Sequence, residues 1–160
     1  EAAREAVYGM PYAQWKATHQ LPEGPPLTPT PLMPNLCYPD ALAAIAWLCT
    51  TFGFVERAVH ANDEGFVMHA QLTLGNAMLM ISSARDDDPT RILTSARAAG
   101  AQTAAVYMVV DDVDAHHDRA LAAGATISRP LTDEPYGGRD YVCVDPWGQL
   151  WSFGTYNPWS

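Results

Sequence analysis

The stretch Tyr136-Gly137-Gly138-Arg139-Asp140-Tyr141-Val142-Cys143-Val144-Asp145-Pro146-Trp147-Gly148-Gln149-Leu150-Trp151-Ser152-Phe153-Gly154-Thr155-Tyr156 reads as two short strands joined by a turn. Asp145-Pro146-Trp147-Gly148 is the turn, because proline presets φ for the second turn position and glycine accepts a positive φ that other residues resist. The flanks, Tyr141 to Val144 and Leu150 to Phe153, are rich in β-formers. Period-two alternation sets Leu150, Ser152 and Gly154 on one face and Trp151, Phe153 and Thr155 on the other. One face is bulky and core-like; the other is small, as the wall of a ligand site would be.

The same kind of hairpin closes an earlier half of the chain. From Asn35 the pattern predicts a strand, then a helix capped by Asp40, carrying Leu42, Ile45, Cys49 and Phe52 as one stripe and stopped at Gly53. Strands follow near Phe54 to His60, Phe66 to Leu74 and Ala77 to Ser82, separated by Asn62-Asp63-Glu64-Gly65 and Gly75-Asn76 turn chemistry. After a polar and Ala-rich connection, 85–102, the order returns: a strand over Val106 to Val110, a helix capped by Asp112 and stopped at Gly124, and strands near 126–130, 141–144 and 150–154. Helix cap and last hairpin glycine are 35 residues apart in the first half (Asp40 to Gly75) and 36 in the second (Asp112 to Gly148). This is an internal duplication of a βαβββ unit. A four-stranded sheet with one helix buries only one face, so two such units are expected to form an α+β fold, a curved mixed sheet with outer helices and a trough open to ligand.

The ordered combination of Tyr136-Gly137-x-Arg139, Asp145-Pro146-x-Gly148 and Leu150-Trp151-x-Phe153-Gly154-Thr155 resembles the closing hairpin of the vicinal oxygen chelate superfamily, which includes glyoxalases, bleomycin-resistance proteins and extradiol dioxygenases. The branch it resembles is that of the phosphonate-utilisation B-like proteins, and the resemblance covers roughly residues 32 to 156. It implies the same paired-module fold. The expected organisation is an arm and Pro-rich linker over 1–31 and a two-module domain over 32–160, its modules at about 32–84 and 103–156.

The arm is expected to be helical, with Tyr8, Tyr12 and Trp15 on one apolar stripe that packs on its own domain or a sister subunit, or serves as a ligand lid. Leu21 to Pro34 holds six of the thirteen prolines and reads as an extended linker. At 160 residues and 48% hydrophobic content the chain has enough apolar material for a core. A formal charge of -9 and a pI near 4.7 argue against nucleic acid or an anionic membrane as partner, leaving a small molecule or another protein. Cys37, Cys49 and Cys143 make no C-x-x-C pair and read as free thiols of a reducing compartment. With no apolar run of membrane-spanning length and no signal pattern at the first residues, the expected location is the cytoplasm, the missing initiator Met suggesting a trimmed start.

The resemblance also sets a test for metal. Metal-dependent members place His, Gln or Glu on the first and last strands of each module. Those positions fall here on Met33 and Ala105, on Met80 or Ser82, and on Ser152, with Asn35 or Cys37 taking the first position if the alignment slips by two. Three of the four then lack a donor suited to a divalent ion, so neither metal nor other cofactor is expected. His69, in Met68-His69-Ala70-Gln71-Leu72, shares a face with Gln71 and Thr73 and reads either as a ligand contact or as a structural histidine. Adjacent His116 and His117 point about 100° apart on a helix; His117 reads as packing, and His116, His60 and His19 as surface. Asp86-Asp87-Asp88 reads as a solvated loop. Arg139 would clamp an anionic group, or pair with Asp133, Glu134 or Asp145.

The expected function is therefore metal-free binding of a small organic molecule in the trough, by Asn35, His69, Gln71, Tyr107, Arg139, Tyr141 and Ser152, with a homodimer as the assembly. Two alternatives stand beside it: a metal-dependent lyase or dioxygenase, and a non-enzymatic partner-binding protein.

Overall fold

The computed structural model describes residues 9–11, 14, 32–90 and 92–158. The expectations for Tyr8, Tyr12, Trp15, His19 and linker residues 21–31 fall outside the described residues. The chain divides into two compact units, Glu1–Ser95 and Ala96–Ser160.

The first unit runs β1 (Asn35–Tyr38), α1 (Ala41–Phe52), β2 (Val55–Ala61), β3 (Val67–Leu74) and β4 (Ala77–Ser83). The second opens with a single turn, α2 (Ala96–Ala99), then runs β5 (Val106–Val109), α3 (Val113–Ala122), β6 (Thr126–Asp133), β7 (Arg139–Val144) and β8 (Leu150–Gly154). Each unit is one four-stranded mixed sheet, ordered β1-β4-β3-β2 and β5-β8-β7-β6, with the first and last strands parallel and the rest antiparallel. The duplication extends to the caps: Asp40 and Asp112 have φ -120 and -121 with ψ 88, and each accepts from a backbone N–H three residues on. That bond satisfies one of the orphan donors of a first helical turn.

One face of each sheet carries the helix. In the first unit Leu42, Ile45, Leu48 and Phe52 of α1 lie against Tyr38, Leu72, Leu79 and Ile81, all buried. In the second, Val113, His116 and Ala120 of α3 meet Tyr141, Cys143, Trp151 and Phe153, also buried. Helix packing thus uses every second strand residue and leaves the alternate set on a helix-free face. The expected turn forms: Gly148, at φ +92, donates its N–H to the Asp145 carbonyl at 3.0 Å.

Two sequence expectations change. His116 is 2% exposed rather than on the surface, its Nδ1 2.7 Å from the Tyr141 hydroxyl and its ring 4.1 Å from that of Phe153. Asp86 is not a solvated charge either: it accepts from the Thr94 hydroxyl (2.6 Å), the Ser95 N–H (2.9 Å) and the Ser95 hydroxyl (2.5 Å), pinning the connection after β4.

Candidate binding faces

The helix-free faces hold the polar side chains that the cores exclude. On the first sheet, Asn35 stands opposite Met80 and Met80 opposite Gln71, while Cys37 stands opposite Ser82. The Cys37 Sγ and Ser82 Oγ are 3.3 Å apart. His69 faces His60 across β2 and β3, the two rings nearly parallel (14°) with centroids 6.3 Å apart. Gln71 Nε2 lies 3.2 Å from His69 Nε2, so the amide orients the imidazole. Asn35, His69 and Gln71 therefore share one face, as alternation requires.

On the second sheet, Tyr107 stands opposite Ser152 and Ser152 opposite Val142. These three residues, with Leu150, Asp140 and Gly154, belong to the helix-free face. Tyr141 does not. It pairs with Phe153, is fully buried, and turns its hydroxyl to His116 on α3. Burial pushes its pKa up, as does the neighbouring Cys143. Arg139 lies on the helix side too, sharing its guanidinium between Asp133 of β6 (2.9 Å) and Asp114 of α3 (3.2 Å). Those bonds hold the guanidinium's pKa above its ordinary value, Asp133 contributing most. Of the seven residues picked from sequence, five stand on helix-free faces, and Tyr141 and Arg139 on the opposite side.

Sequence reasoning passed over one further feature of the first unit. A surface groove of about 340 Å³ is lined by Phe66, Met68, Ser82, Arg85, Ile92 and Leu93, with the Arg85 guanidinium 5.1 Å from the centre of the Phe66 ring. The exposed apolar residues at 68, 92 and 93 are its signal.

The first and last strands of the two modules present Asn35, Cys37, Met80 and Ser82, and Tyr107 and Ser152, on their helix-free faces. Among the described residues no group of three or more His, Cys, Asp or Glu could hold a metal ion. Those strand positions offer amide, thiol, thioether and hydroxyl groups, and no carboxylate or imidazole.

A family model described as the Glyoxalase/Bleomycin resistance protein/Dioxygenase superfamily matches residues 31–153. The chain belongs to that superfamily. A second model, a protein of unknown function (DUF1244), matches residues 1–26. An uncharacterized protein of Mycobacterium bovis is 33% identical over 126 residues, covering 77% of this chain and 81% of the relative. Among solved structures, TioX from Micromonospora sp. ML1 is 33% identical with a TM-score of 0.63, over 79% of this chain and 98% of TioX. Lactoylglutathione lyase from Agrobacterium tumefaciens, at 21% identity and a TM-score of 0.54 over 79% of this chain and 93% of its own, shares the fold. No helix among the described residues is long and apolar enough to cross a membrane.

Proposed function

We propose that this chain binds a small organic molecule on the helix-free face of its second sheet, without a bound metal ion, and acts as a binding protein rather than a catalyst. The observation that carries the reading is the environment of Ser152. It is half-buried between Tyr107 and Val142 on the helix-free face, at the position where the resemblance implies a carboxylate in metal-dependent members. A serine there is short and neutral. It leaves volume that a carboxylate would fill and offers one hydroxyl as donor and acceptor. Apolar neighbours with a few polar anchors are the usual composition of organic-ligand sites, and each helix-free face carries such a set by itself: Asn35, His69 and Gln71 on the first sheet, Ser152 and the Tyr107 hydroxyl on the second.

Substitution of Ser152 by Trp tests the reading. A fragment found by ligand-observed NMR on the native protein should lose detectable binding to Ser152→Trp, with the circular dichroism spectrum unchanged. Retained binding, or loss of the fold, would place Ser152 outside the ligand face. One equivalent of Zn, Fe, Mn or Ni in protein purified without chelator would overturn the metal-free part.

A further inference from the structure

Three tyrosines of the second unit are exposed, Tyr107 at 40%, Tyr136 at 62% and Tyr156 at 42%, against 0% for Tyr141, Trp151 and Phe153. They converge. The Tyr136 and Tyr156 rings meet edge to face, centroids 5.3 Å apart at 77°, and the Tyr107 hydroxyl donates to the Tyr156 carbonyl at 2.9 Å. Two glycines permit this approach. A Cβ on Gly154 would come within 2.7 Å of the Tyr107 hydroxyl and 2.6 Å of the Asp140 Cβ, and one on Gly138 within 2.9 Å of the Tyr156 backbone.

The charges beside the rings are unbalanced. Arg129 is shared by Glu134 and Asp140, so its guanidinium meets two carboxylates and the cluster keeps one net negative charge; the Arg139–Asp133–Asp114 cluster, equally unbalanced, lies on the helix side. Residues 96–160 contain four arginines, no lysine and eight carboxylates. Asp140 is nearly buried, which sharpens its field on the rings. The phenols stay protonated: burial first, then the charges of Asp140 for Tyr107 and of Glu134 for Tyr136, push both pKa values up.

Aromatic faces set at an angle, next to uncompensated negative charge, attract a weakly hydrated cation through the ring quadrupoles. An anion would be repelled, and a strongly hydrated metal ion would have to compete with Arg129 for the carboxylate oxygens. We propose that Tyr107, Tyr136 and Tyr156, with the Glu134–Arg129–Asp140 cluster, form a subsite for an organic cation, a quaternary or protonated amine carried by the ligand. The proposal rests on the reading of the helix-free face as the ligand face, since Tyr107 and Asp140 stand on it with Ser152.

The probe is choline, compared with its neutral carbon isostere 3,3-dimethylbutan-1-ol, each titrated into the full chain and followed by tyrosine ring resonances. Choline should bind about ten-fold tighter than the isostere, the difference narrowing with added salt. Tyr136→Ala and Tyr156→Ala should each weaken choline by about five-fold, while Tyr136→Phe and Tyr156→Phe stay within about two-fold, because the ring face and not the hydroxyl makes the contact. Equal binding of choline and isostere, or choline affinity untouched by either alanine variant, overturns the subsite. If a neutral fragment is still lost on Ser152→Trp in that case, the binding-face reading survives and only the cation preference fails.

Discussion

Asp145 offers the sharpest test of how the closing hairpin is held. Its carboxylate is 4% exposed and accepts three bonds: Oδ1 from the backbone N–H groups of Trp147 (3.0 Å) and Gln149 (2.9 Å), and Oδ2 from the Trp151 indole N–H (3.1 Å). Replacing it with Ala removes the acceptor from three donors at once. A hydrogen bond to a charged group contributes about 1.5–3 kcal/mol, and a buried donor stripped of its acceptor costs about 1–3 kcal/mol. Water reaching the turn amides offsets part of this, so Asp145→Ala should lose about 3–5 kcal/mol, a large share of the roughly 5–15 kcal/mol that stabilises a typical domain. Asp145→Asn separates the parts. It keeps an oxygen for the two amides but sets an NH2 against the indole N–H, for about 2 kcal/mol. In a Trp151→Phe background that donor–donor conflict is gone, and the double-mutant cycle should give a coupling of about 1–2 kcal/mol. Urea unfolding followed by circular dichroism measures all four variants. A loss below about 1 kcal/mol for Asp145→Ala, or strict additivity in the cycle, would refute the argument that this carboxylate organises the turn.

Tyr141→Phe removes the hydroxyl bonded to His116 within the core and should cost about 1–2 kcal/mol without changing ligand affinity, since the residue lies on the helix side; weaker binding at unchanged stability would contradict that placement. Burial pushes the Cys49 and Cys143 thiols up to about 12, so iodoacetamide at pH 8 should alkylate Cys37 first in the native protein, as mass spectrometry of the digest would report. Rapid labelling of Cys143 would count against the packed second core. Light scattering at micromolar concentration should give twice the 17.4 kDa chain mass. The monomer mass, with deletion of residues 1–20 altering neither mass nor melting temperature, would remove any assembly role for the arm.

The fold was legible because its signals are local and repeated. Two Asp caps, a glycine stop after each helix and the Gly75 and Gly148 hairpins fix where elements begin and end, and repetition of the pattern gives the module. Strand ends moved by no more than a few residues, most where β6 continues through Pro130 to Asp133. Pro130 is exposed, so the sheet tolerates its missing N–H in a strand at the end of the sheet order.

The sides of residues were harder to read than their elements. His116 escaped because the buried stripe of α3 is Val113, His116 and Ala120, and a face built from alanine and histidine has little hydrophobic contrast with its neighbours. Leu121, four residues after His117 and the one large aliphatic beyond Val113 on this helix, is 54% exposed. Tyr141 could have been assigned. Counting outward from the turn, Val144 meets Leu150, Cys143 meets Trp151, Val142 meets Ser152 and Tyr141 meets Phe153, so the side that takes Phe153 into the core takes Tyr141 with it. The same count puts Arg139, two residues before Tyr141, on that side as well; what it does not reach is the partner Asp114, 25 residues away on a helix. The three exposed tyrosines are legible only after the fold: Tyr107, Tyr136 and Tyr156 lie on a strand, in a turn and past the last strand, and strand pairing with two side-chain-free glycines is what brings them together. Alternation along a strand can therefore be read from sequence, but a ligand face drawn from several elements depends on which strands pair, and there the chemistry of this chain departs most from what its motifs announce.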